Sequence, residues 1–130
     1  MNKALGLFVA VAMATAGSAA CSQSSASGRP QGPREIRIVA RNMTFYVQGD
    51  KAPNPTLKVR AGEELRLVLT NEEPGIDHDF AIRPWKIGTR LLKGNGEDAI
   101  TFKVPDTPGA EIAYICTPHF GMMRGTILIE

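Results

Sequence analysis

The chain has 130 residues, of which 43% are hydrophobic and 22% are charged, and these values are typical of a single globular domain. Its 15 lysine and arginine residues are nearly balanced by 13 aspartate and glutamate residues. This balance argues against nucleic acid as a partner, because phosphate-binding surfaces carry a marked excess of positive charge. The sequence shows no internal repeat and no sign of a second folded domain.

The first twenty residues have the pattern of an export signal. Lys3 gives a basic start, the segment 4–14 (ALGLFVAVAMA) is apolar, and small residues follow as far as Ala20. The apolar segment is too short for a membrane-spanning helix, and the small side chains of Ser18 and Ala20 suit cleavage by a signal peptidase after Ala20. We therefore predict a signal peptide at 1–20 and a periplasmic or other extracytoplasmic location.

Residues 21–33 are predicted to form a flexible tether. The stretch SQSSASGRPQGP after Cys21 is polar, rich in Ser, Gly and Pro, and has no apolar period. The preceding SAAC resembles the acylation motif of bacterial lipoproteins, although Ser18 stands where that motif usually has leucine. Because a tether is useful when its end is anchored, we favour a lipid on Cys21, as the sole membrane attachment, over a free N-terminal cysteine.

Residues 34–130 are predicted to fold as one all-β domain. Apolar and polar residues alternate, as in strands with one buried face, in eight segments at 35–40, 43–47, 56–60, 64–70, 78–82, 99–104, 112–116 and 126–130. Turn signals rich in Gly, Pro, Asn and Asp separate these segments. About eight short strands indicate a β-sandwich, and residues 86–93 are the place where a helical turn or two is expected.

The segment CTPHFGMM, at 116–123, brings together a thiol, an imidazole and two thioethers. Elsewhere the sequence has one other cysteine, Cys21, and one other histidine, His78. Thiolate, imidazole and thioether groups are the ligands of copper in electron-transfer sites. The segment connects two predicted strands, and His78 begins a strand at the same end of the sandwich, so a single site can use both histidines.

On these residues the domain resembles the cupredoxin, or type 1 blue copper, family of plastocyanin, amicyanin and pseudoazurin. The stretches ARNMTF, VRAGEELRLVLTN, DHDF and PGAEIAYICTPHFGMMRGTILIE look like the landmarks of that family in the same order. The resemblance covers nearly all of residues 35–130 and implies a cupredoxin-like Greek-key β-sandwich. It also implies a small extracytoplasmic electron carrier, not an enzyme, with one copper ion that cycles between Cu(II) and Cu(I).

The resemblance implies a set of four metal ligands: His78, Cys116, His119 and Met123. Met123 is preferred to Met122 because many relatives place the axial methionine two residues before a glycine, as Met123 stands before Gly125. The alternation of residues towards the last strand agrees with this choice, and Gly121 is expected to supply the turn. Met122 is the alternative, since it matches the loop spacing of the amicyanins.

Two neighbours of the ligands depart from the commonest family pattern. Asp79 stands where many relatives have asparagine, which puts in doubt the usual side-chain link to Thr117. Pro118 has no N–H and cannot donate to the Cys116 sulfur, so the backbone N–H of Asp79 is expected to be the main donor. With fewer hydrogen bonds to the thiolate, the reduction potential should be lower than in relatives with two.

Electrons are expected to pass through His119, whose ring edge reaches the surface in the family. Phe120, Gly121 and Met122 would form a small apolar docking patch beside it. Five basic residues are candidates for a rim that steers an acidic partner: Arg83, Lys86, Arg90, Lys93 and Arg124. The chain is expected to be a monomer, with a cytochrome, a copper nitrite reductase, a terminal oxidase or a photosynthetic complex as compatible redox partners.

Other functions and structural roles of these residues compete with the electron carrier. A copper carrier or chaperone without an electron-transfer role would also be exported and bind copper, although such proteins usually have exposed, easily exchanged ligands. Taken singly, a buried cysteine or histidine or a gap-filling methionine is usually a core residue. A disulfide between Cys21 and Cys116 is a further structural alternative.

Overall fold

The structure, a computed structural model, describes residues 32–130. The predicted signal peptide at 1–20 and most of the predicted tether, including Cys21, lie outside the described residues. Within the described part, no helix is both long enough and apolar enough to span a membrane.

Nine strands form the described domain: β1 (Arg34–Arg41), β2 (Thr44–Val47), β3 (Leu57–Val59), β4 (Glu64–Asn71), β5 (Ala81–Ile82), β6 (Ile87–Gly88), β7 (Glu97–Lys103), β8 (Glu111–Ile115) and β9 (Arg124–Ile129). They make two sheets, one in the order β2-β1-β4-β7 and the other in the order β3-β9-β8-β5-β6. The pairs β1–β4 and β3–β9 are parallel, and the other pairs are antiparallel. The predicted all-β sandwich is confirmed.

The core lies between the two sheets and follows from the alternation of residues along the strands. In β4, Leu65, Leu67 and Leu69 are buried while the intervening Arg66 is exposed. Burying one such leucine stabilises the fold by about 1.5–3 kcal/mol. The last residue of β4, Asn71, continues this buried face although it is polar.

Three aromatic rings fill the core next to the loops that carry the predicted metal ligands. Phe45, Phe80 and Tyr114 pack with ring centroids 4.8, 5.5 and 5.7 Å apart. Phe80 lies two residues after His78 and Tyr114 two residues before Cys116. The three rings belong to the same buried cluster as Cys116, so the core is packed with aromatic side chains close to the predicted ligands.

The strand predicted at 78–82 is shorter in the structure. Only Ala81–Ile82 forms β5, and His78 joins the sheet through an isolated bridge to Leu92. The backbone N–H and C=O of His78 pair with those of Leu92 at 3.0 and 2.8 Å. His78 is therefore fixed by two backbone hydrogen bonds although it lies outside a regular strand.

The helical turn predicted at 86–93 is wrong. Within residues 32–130 the structure has one turn of 3-10 helix, which lies earlier, at Arg83–Trp85, where Pro84 supplies the fixed φ that suits the first turn of a helix. Lys86 ends the turn with a φ of 56°, and Ile87–Gly88 then forms β6. A two-residue strand is too short to show alternation, so no pattern in the sequence indicated it.

Candidate metal centre

Three side chains that bind metals in other proteins meet at one end of the sandwich. His78, Cys116 and His119 each offer one ligand atom, and these atoms lie within 4.8 Å of one another. The Nδ1 atoms of His78 and His119 lie 3.6 and 3.5 Å from the Cys116 Sγ. Their ring centroids are 5.1 Å apart. Both histidines therefore turn the same ring nitrogen towards the thiol.

The three side chains differ in their exposure to solvent. His78 and Cys116 are fully buried, whereas His119 is partly exposed. The cluster is therefore closed towards the core and reaches the surface through the His119 ring.

The loop between β8 and β9 is closed by backbone hydrogen bonds. The Cys116 N–H donates to the Met123 carbonyl at 2.9 Å, and the His119 carbonyl accepts N–H groups from Met122 and Met123, both at 2.9 Å. Gly121 lies in the resulting turn, as predicted, but it is not among the residues with positive φ. The turn therefore does not need the conformational freedom of glycine.

The two methionines of this loop face opposite environments. Met123 is fully buried and belongs to the core cluster with Cys116, whereas the side chain of Met122 is 63% exposed. Met123 thus shares the buried cluster of Cys116 and Met122 does not, which favours Met123 over Met122 as the thioether of the centre.

The link between Asp79 and Thr117 is present in the structure. The Asp79 Oδ1 accepts the Thr117 N–H at 2.5 Å, so the carboxylate does what the asparagine of many relatives is expected to do. The bond joins the segment that carries His78 to the loop that carries Cys116. The doubt raised by the sequence about this link is therefore removed.

Burial raises the pKa of the Cys116 thiol to about 11. Among the backbone groups near the sulfur, the N–H of Asp79 lowers this pKa most and the N–H of His119 contributes less, because hydrogen bonds to sulfur favour the thiolate. This order agrees with the expected role of the Asp79 N–H as the main donor to the sulfur, which stays a prediction. A buried thiol of high pKa is stabilised as a thiolate by a bound cation, so the site is suited to a metal.

Sequence analysis missed Glu73. Its Oε2 lies 2.7 Å from the Nε2 of His78 and accepts the Met43 N–H at 2.9 Å. Burial raises the pKa of the Glu73 carboxyl, but the Met43 N–H and the His78 ring lower it by more, so that the carboxyl titrates below its ordinary value. No spacing rule singles out a glutamate five residues before a histidine, so the sequence carried no signal for this contact.

Asn71 is a second residue that sequence analysis missed. It is fully buried, and its Nδ2 donates to the carbonyls of Ile76 and Leu92 at 2.8 and 3.0 Å. Its Oδ1 accepts the N–H of Glu73 at 2.9 Å. The side chain therefore satisfies the polar groups that the 71–78 loop buries, and it fixes that loop. The signal available was an asparagine in phase with the apolar residues of β4, two positions after Leu69.

Asn54 supports the other side of the ligand loop. Its Nδ2 donates to the Met122 carbonyl at 3.1 Å, and its Oδ1 accepts the Phe45 N–H at 3.1 Å. Asn54 has a φ of 44°, a left-handed conformation that asparagine tolerates better than most residues. The loop before β9 is thus held to the first sheet.

The donor set fits copper. A thiol, two imidazole Nδ1 atoms and a buried thioether are the ligands of type 1 copper sites, where the thioether is a long, weak axial ligand. Structural zinc sites, in contrast, use four cysteine or histidine ligands, and this cluster has three.

The comparisons with known proteins agree with this chemistry. A family model described as copper-binding proteins of the plastocyanin/azurin family matches residues 33–130. The chain therefore belongs to the plastocyanin/azurin family of copper-binding proteins, and copper is the cofactor that this centre takes. No curated protein matches the chain.

Solved structures show the same fold. Auracyanin A of Chloroflexus aurantiacus, titled a blue copper protein, has a TM-score of 0.59 and 20% identity over 76% of this chain and 100% of its own. Auracyanin of Roseiflexus castenholzii has a TM-score of 0.59 and 16% identity over 76% and 99%. Rusticyanin of Thiobacillus ferrooxidans has a TM-score of 0.51 and 18% identity over 74% and 76%. The predicted cupredoxin fold is confirmed.

Proposed function

We propose that the protein is an exported type 1 copper protein that carries single electrons between redox partners and is not itself an enzyme. The proposed copper ligands are the Nδ1 atoms of His78 and His119, the Sγ of Cys116 and the thioether of Met123. The observation that carries the proposal is the meeting of two Nδ1 atoms with one buried thiol, at 3.6 and 3.5 Å, beside a buried methionine.

Rigidity of the site supports electron transfer. Copper, when bound, supplies a one-electron change between Cu(II) and Cu(I). The bonds from Asp79 to Thr117, from Asn54 to Met122 and from Glu73 to His78 hold the ligand segments from three sides. Because these contacts do not involve the metal, the ligands keep nearly one arrangement in both oxidation states, and little reorganisation accompanies the transfer.

The exposed apolar residues support docking at His119. Within residues 32–130, three large hydrophobic side chains are exposed, namely Leu91, Phe120 and Met122, at 51, 61 and 63%. Two of them follow His119 in the ligand loop, and Leu91 precedes the residue that pairs with His78. We propose that these three residues form one surface, which we call the docking patch, because exposed apolar side chains near a redox site suit transient contacts.

Two arginines beside the docking patch favour an acidic partner. A cleft of about 220 Å³ is lined by Phe120, Arg83 and Arg124, among others. Within the described residues neither arginine has an ion pair, whereas Arg90, another candidate for the basic rim, is paired with Asp98. The compatible partners are an acidic surface of a cytochrome, a copper nitrite reductase, a terminal oxidase or a photosynthetic complex.

Phe120→Ala should slow electron transfer to such a partner while leaving the reduction potential and the visible spectrum unchanged. The expected loss reflects a docking contact, since truncating a buried aromatic anchor commonly costs more than about 1 kcal/mol of binding. Stopped-flow kinetics at several salt concentrations would measure it. Unaltered rates with every redox partner tested would show that Phe120 takes no part in docking.

Location and anchoring belong to the same proposal. Cleavage after Ala20 and a lipid on Cys21 would place a monomeric domain outside the cytoplasm on a tether. Cys21→Ser should then move the protein from the membrane fraction to the soluble extracytoplasmic fraction. A wild-type protein that is already soluble after fractionation would exclude the lipid anchor.

A copper carrier or chaperone is the second candidate, and one experiment separates the two. The copper-loaded protein is cycled electrochemically in the presence of a Cu(I) chelator, and its copper content is measured after each cycle. Reversible one-electron cycling without loss of metal supports the electron carrier. Transfer of copper to the chelator or to an apo-acceptor during cycling would favour the copper carrier.

A further inference from the structure

We propose that Glu73 is a positioning residue of the copper centre: it holds His78 in the tautomer that presents Nδ1 for coordination and places a fixed negative charge beside the metal. This inference deepens the proposed function and rests on it. It concerns a residue outside the ligand set, in the loop that precedes His78.

The contact between the two side chains determines the tautomer. The Glu73 Oε2 lies 2.7 Å from the Nε2 of His78. An ionised carboxylate can only accept hydrogen bonds, so Nε2 has to carry the proton. A neutral imidazole has one N–H, and the lone pair therefore lies on Nδ1, which is 3.6 Å from the Cys116 Sγ. This is the nitrogen that faces the other ligands.

Glu73 is itself held in place. Its carboxylate accepts the Met43 N–H at 2.9 Å, and its own N–H donates to the Asn71 Oδ1 at 2.9 Å. The side chain is 16% exposed. Asn71 also binds the carbonyl of Leu92, whose backbone pairs with His78. One buried asparagine thus fixes both the backbone of Glu73 and the backbone of Leu92, which pairs with His78.

The Met43 contact ties the centre to the first sheet. Asn42 and Met43 form the two-residue turn between β1 and β2, with φ values of 51° and 55°. Two positive φ values are typical of a type I′ hairpin turn, and methionine is an unusual residue in that conformation. Glu73 satisfies the N–H of this turn and therefore connects β1–β2, the 71–78 loop and His78.

The charge of the carboxylate acts on the metal. A negative charge close to a copper ion favours the more positive Cu(II) over Cu(I), and solvent at the 16% exposed Glu73 side chain weakens the effect without removing it. Glu73 should therefore lower the reduction potential and strengthen the binding of Cu(II). Loss of a carboxylate that orients a ligating histidine typically weakens metal affinity by about 10- to 100-fold.

The test compares Glu73→Gln and Glu73→Leu with Glu72→Gln. Glu72 is the exposed neighbour, and Glu72→Gln removes the same charge without touching His78.

Nitrogen NMR of the ¹⁵N-histidine-labelled apo-protein at neutral pH reports the tautomer. Copper(II) titration and electrochemistry report affinity and potential. If Glu73→Leu fails to fold, Glu73→Gln tests the inference alone. Glutamine has nearly the same shape as glutamate, but its amide can either accept a hydrogen bond from Nε2 or donate one to it, so it no longer determines the tautomer of His78.

The expected result is a single Nε2–H tautomer of His78 in the wild type and in Glu72→Gln, and a mixture of tautomers in Glu73→Gln. Cu(II) affinity should fall at least about tenfold in the Glu73 variants, and their potentials should rise. The inference would be overturned if Glu73→Gln kept the wild-type tautomer of His78, the wild-type affinity for Cu(II) and the wild-type reduction potential. Wild-type protein that binds Cu(II) without a thiolate band would overturn the proposed function instead, while the tautomer of the apo-protein would still test Glu73.

Discussion

At the scale of single residues, each proposed ligand is held by a contact that does not depend on the metal. His78 is fixed by the Leu92 backbone, and Cys116 by the bond from its N–H to the Met123 carbonyl. These contacts keep the ligand atoms close together before copper arrives. We therefore expect the copper-free and copper-loaded proteins to have nearly the same arrangement of these side chains.

Met123→Leu should retain copper but raise the reduction potential and alter the visible spectrum. The axial thioether bond is long and weak, so its loss changes the electronic properties of the site more than its affinity. Leucine has nearly the volume of methionine, and the stability of the fold should change by less than about 1.5 kcal/mol. Electrochemistry and visible spectroscopy of the Cu(II) protein measure the first effects, and urea unfolding the last.

Met122→Leu is the matched control, because its side chain is exposed and the substitution is chemically identical. Neither the potential nor the spectrum should shift appreciably. The opposite pattern, with shifts in Met122→Leu and none in Met123→Leu, would move the axial position to Met122.

The chemistry of the centre could be predicted from the sequence, but its supporting contacts could not. Cys116, His119 and His78 stood out because thiols and imidazoles are scarce in this chain. Glu73 and Asn71 belong to common residue types, and their roles arise from the path of the 71–78 loop. That path depends on tertiary packing, which no local pattern records.

At the scale of secondary-structure elements, the ligand loop depends on the close packing of β8 against β9. Gly125 pairs with Tyr114, and a Cβ on Gly125 would overlap the Tyr114 ring. The Tyr114 hydroxyl in turn donates to the Pro55 carbonyl at 2.6 Å. Glycine is therefore needed at 125 for space, directly beside the loop that ends at Met123.

Gly125→Ala should destabilise the protein by about 1–3 kcal/mol, because the Tyr114 ring has to move or the strands have to separate. Gly121→Ala is the control: a Cβ there meets nothing within 4 Å, so the stability should change by less than about 0.5 kcal/mol. Urea unfolding of the copper-free proteins measures both. Equal stability of the two variants would show that β8 and β9 can accommodate the extra methyl group.

Strands with a clear period were predicted, including the three-residue β3, whereas the two-residue β6 was not. The alternation in β4 identified a half-buried strand because Leu65, Leu67 and Leu69 share one face. The residues between β5 and β7 form a 3-10 turn, a two-residue strand and an isolated bridge. Pieces of this length are set by their neighbours in the sheet, so periodicity could not reveal them.

At the scale of the whole molecule, the copper centre and the start of the domain lie at opposite ends of the first sheet. Arg34 pairs with Leu65 at one end, and Ala40 pairs with Asn71 at the other, beside the 71–78 loop. A tether that enters at Arg34 would therefore leave the docking patch on the far side of the domain. This arrangement is compatible with a membrane-anchored carrier that meets its partners through His119.

The end of the sheet opposite the copper centre carries an ion pair that should make stability depend on pH. Arg34 binds the two Glu63 oxygens at 3.1 and 2.7 Å, and Glu63 also accepts the Arg60 N–H at 2.7 Å. The Arg34 hydrogen bond holds the pKa of Glu63 below its ordinary value. The ion pair therefore stabilises the fold fully at pH values above the ordinary pKa of glutamate. This stabilisation is lost as the pH falls through the lower pKa that Glu63 has in the folded protein.

Glu63→Gln should lower the stability at pH 7 by about 1 kcal/mol, a value that allows for solvent screening at the exposed Arg34. In acid the difference from the wild type should disappear, because Glu63 is then protonated. Glu64→Gln, at an exposed neighbour, should change stability little at either pH. Urea unfolding at both pH values checks this, and a difference that persists in acid would contradict the assignment of the effect to the Glu63 charge.

The central claim is that Cys116 binds copper as a thiolate in a type 1 site, and the visible spectrum of the Cu(II)-loaded protein tests it most directly. We predict an intense blue or green thiolate-to-copper band in the wild type and its loss in Cys116→Ser. Stoichiometric Cu(II) binding without that band in the wild-type protein would contradict the claim.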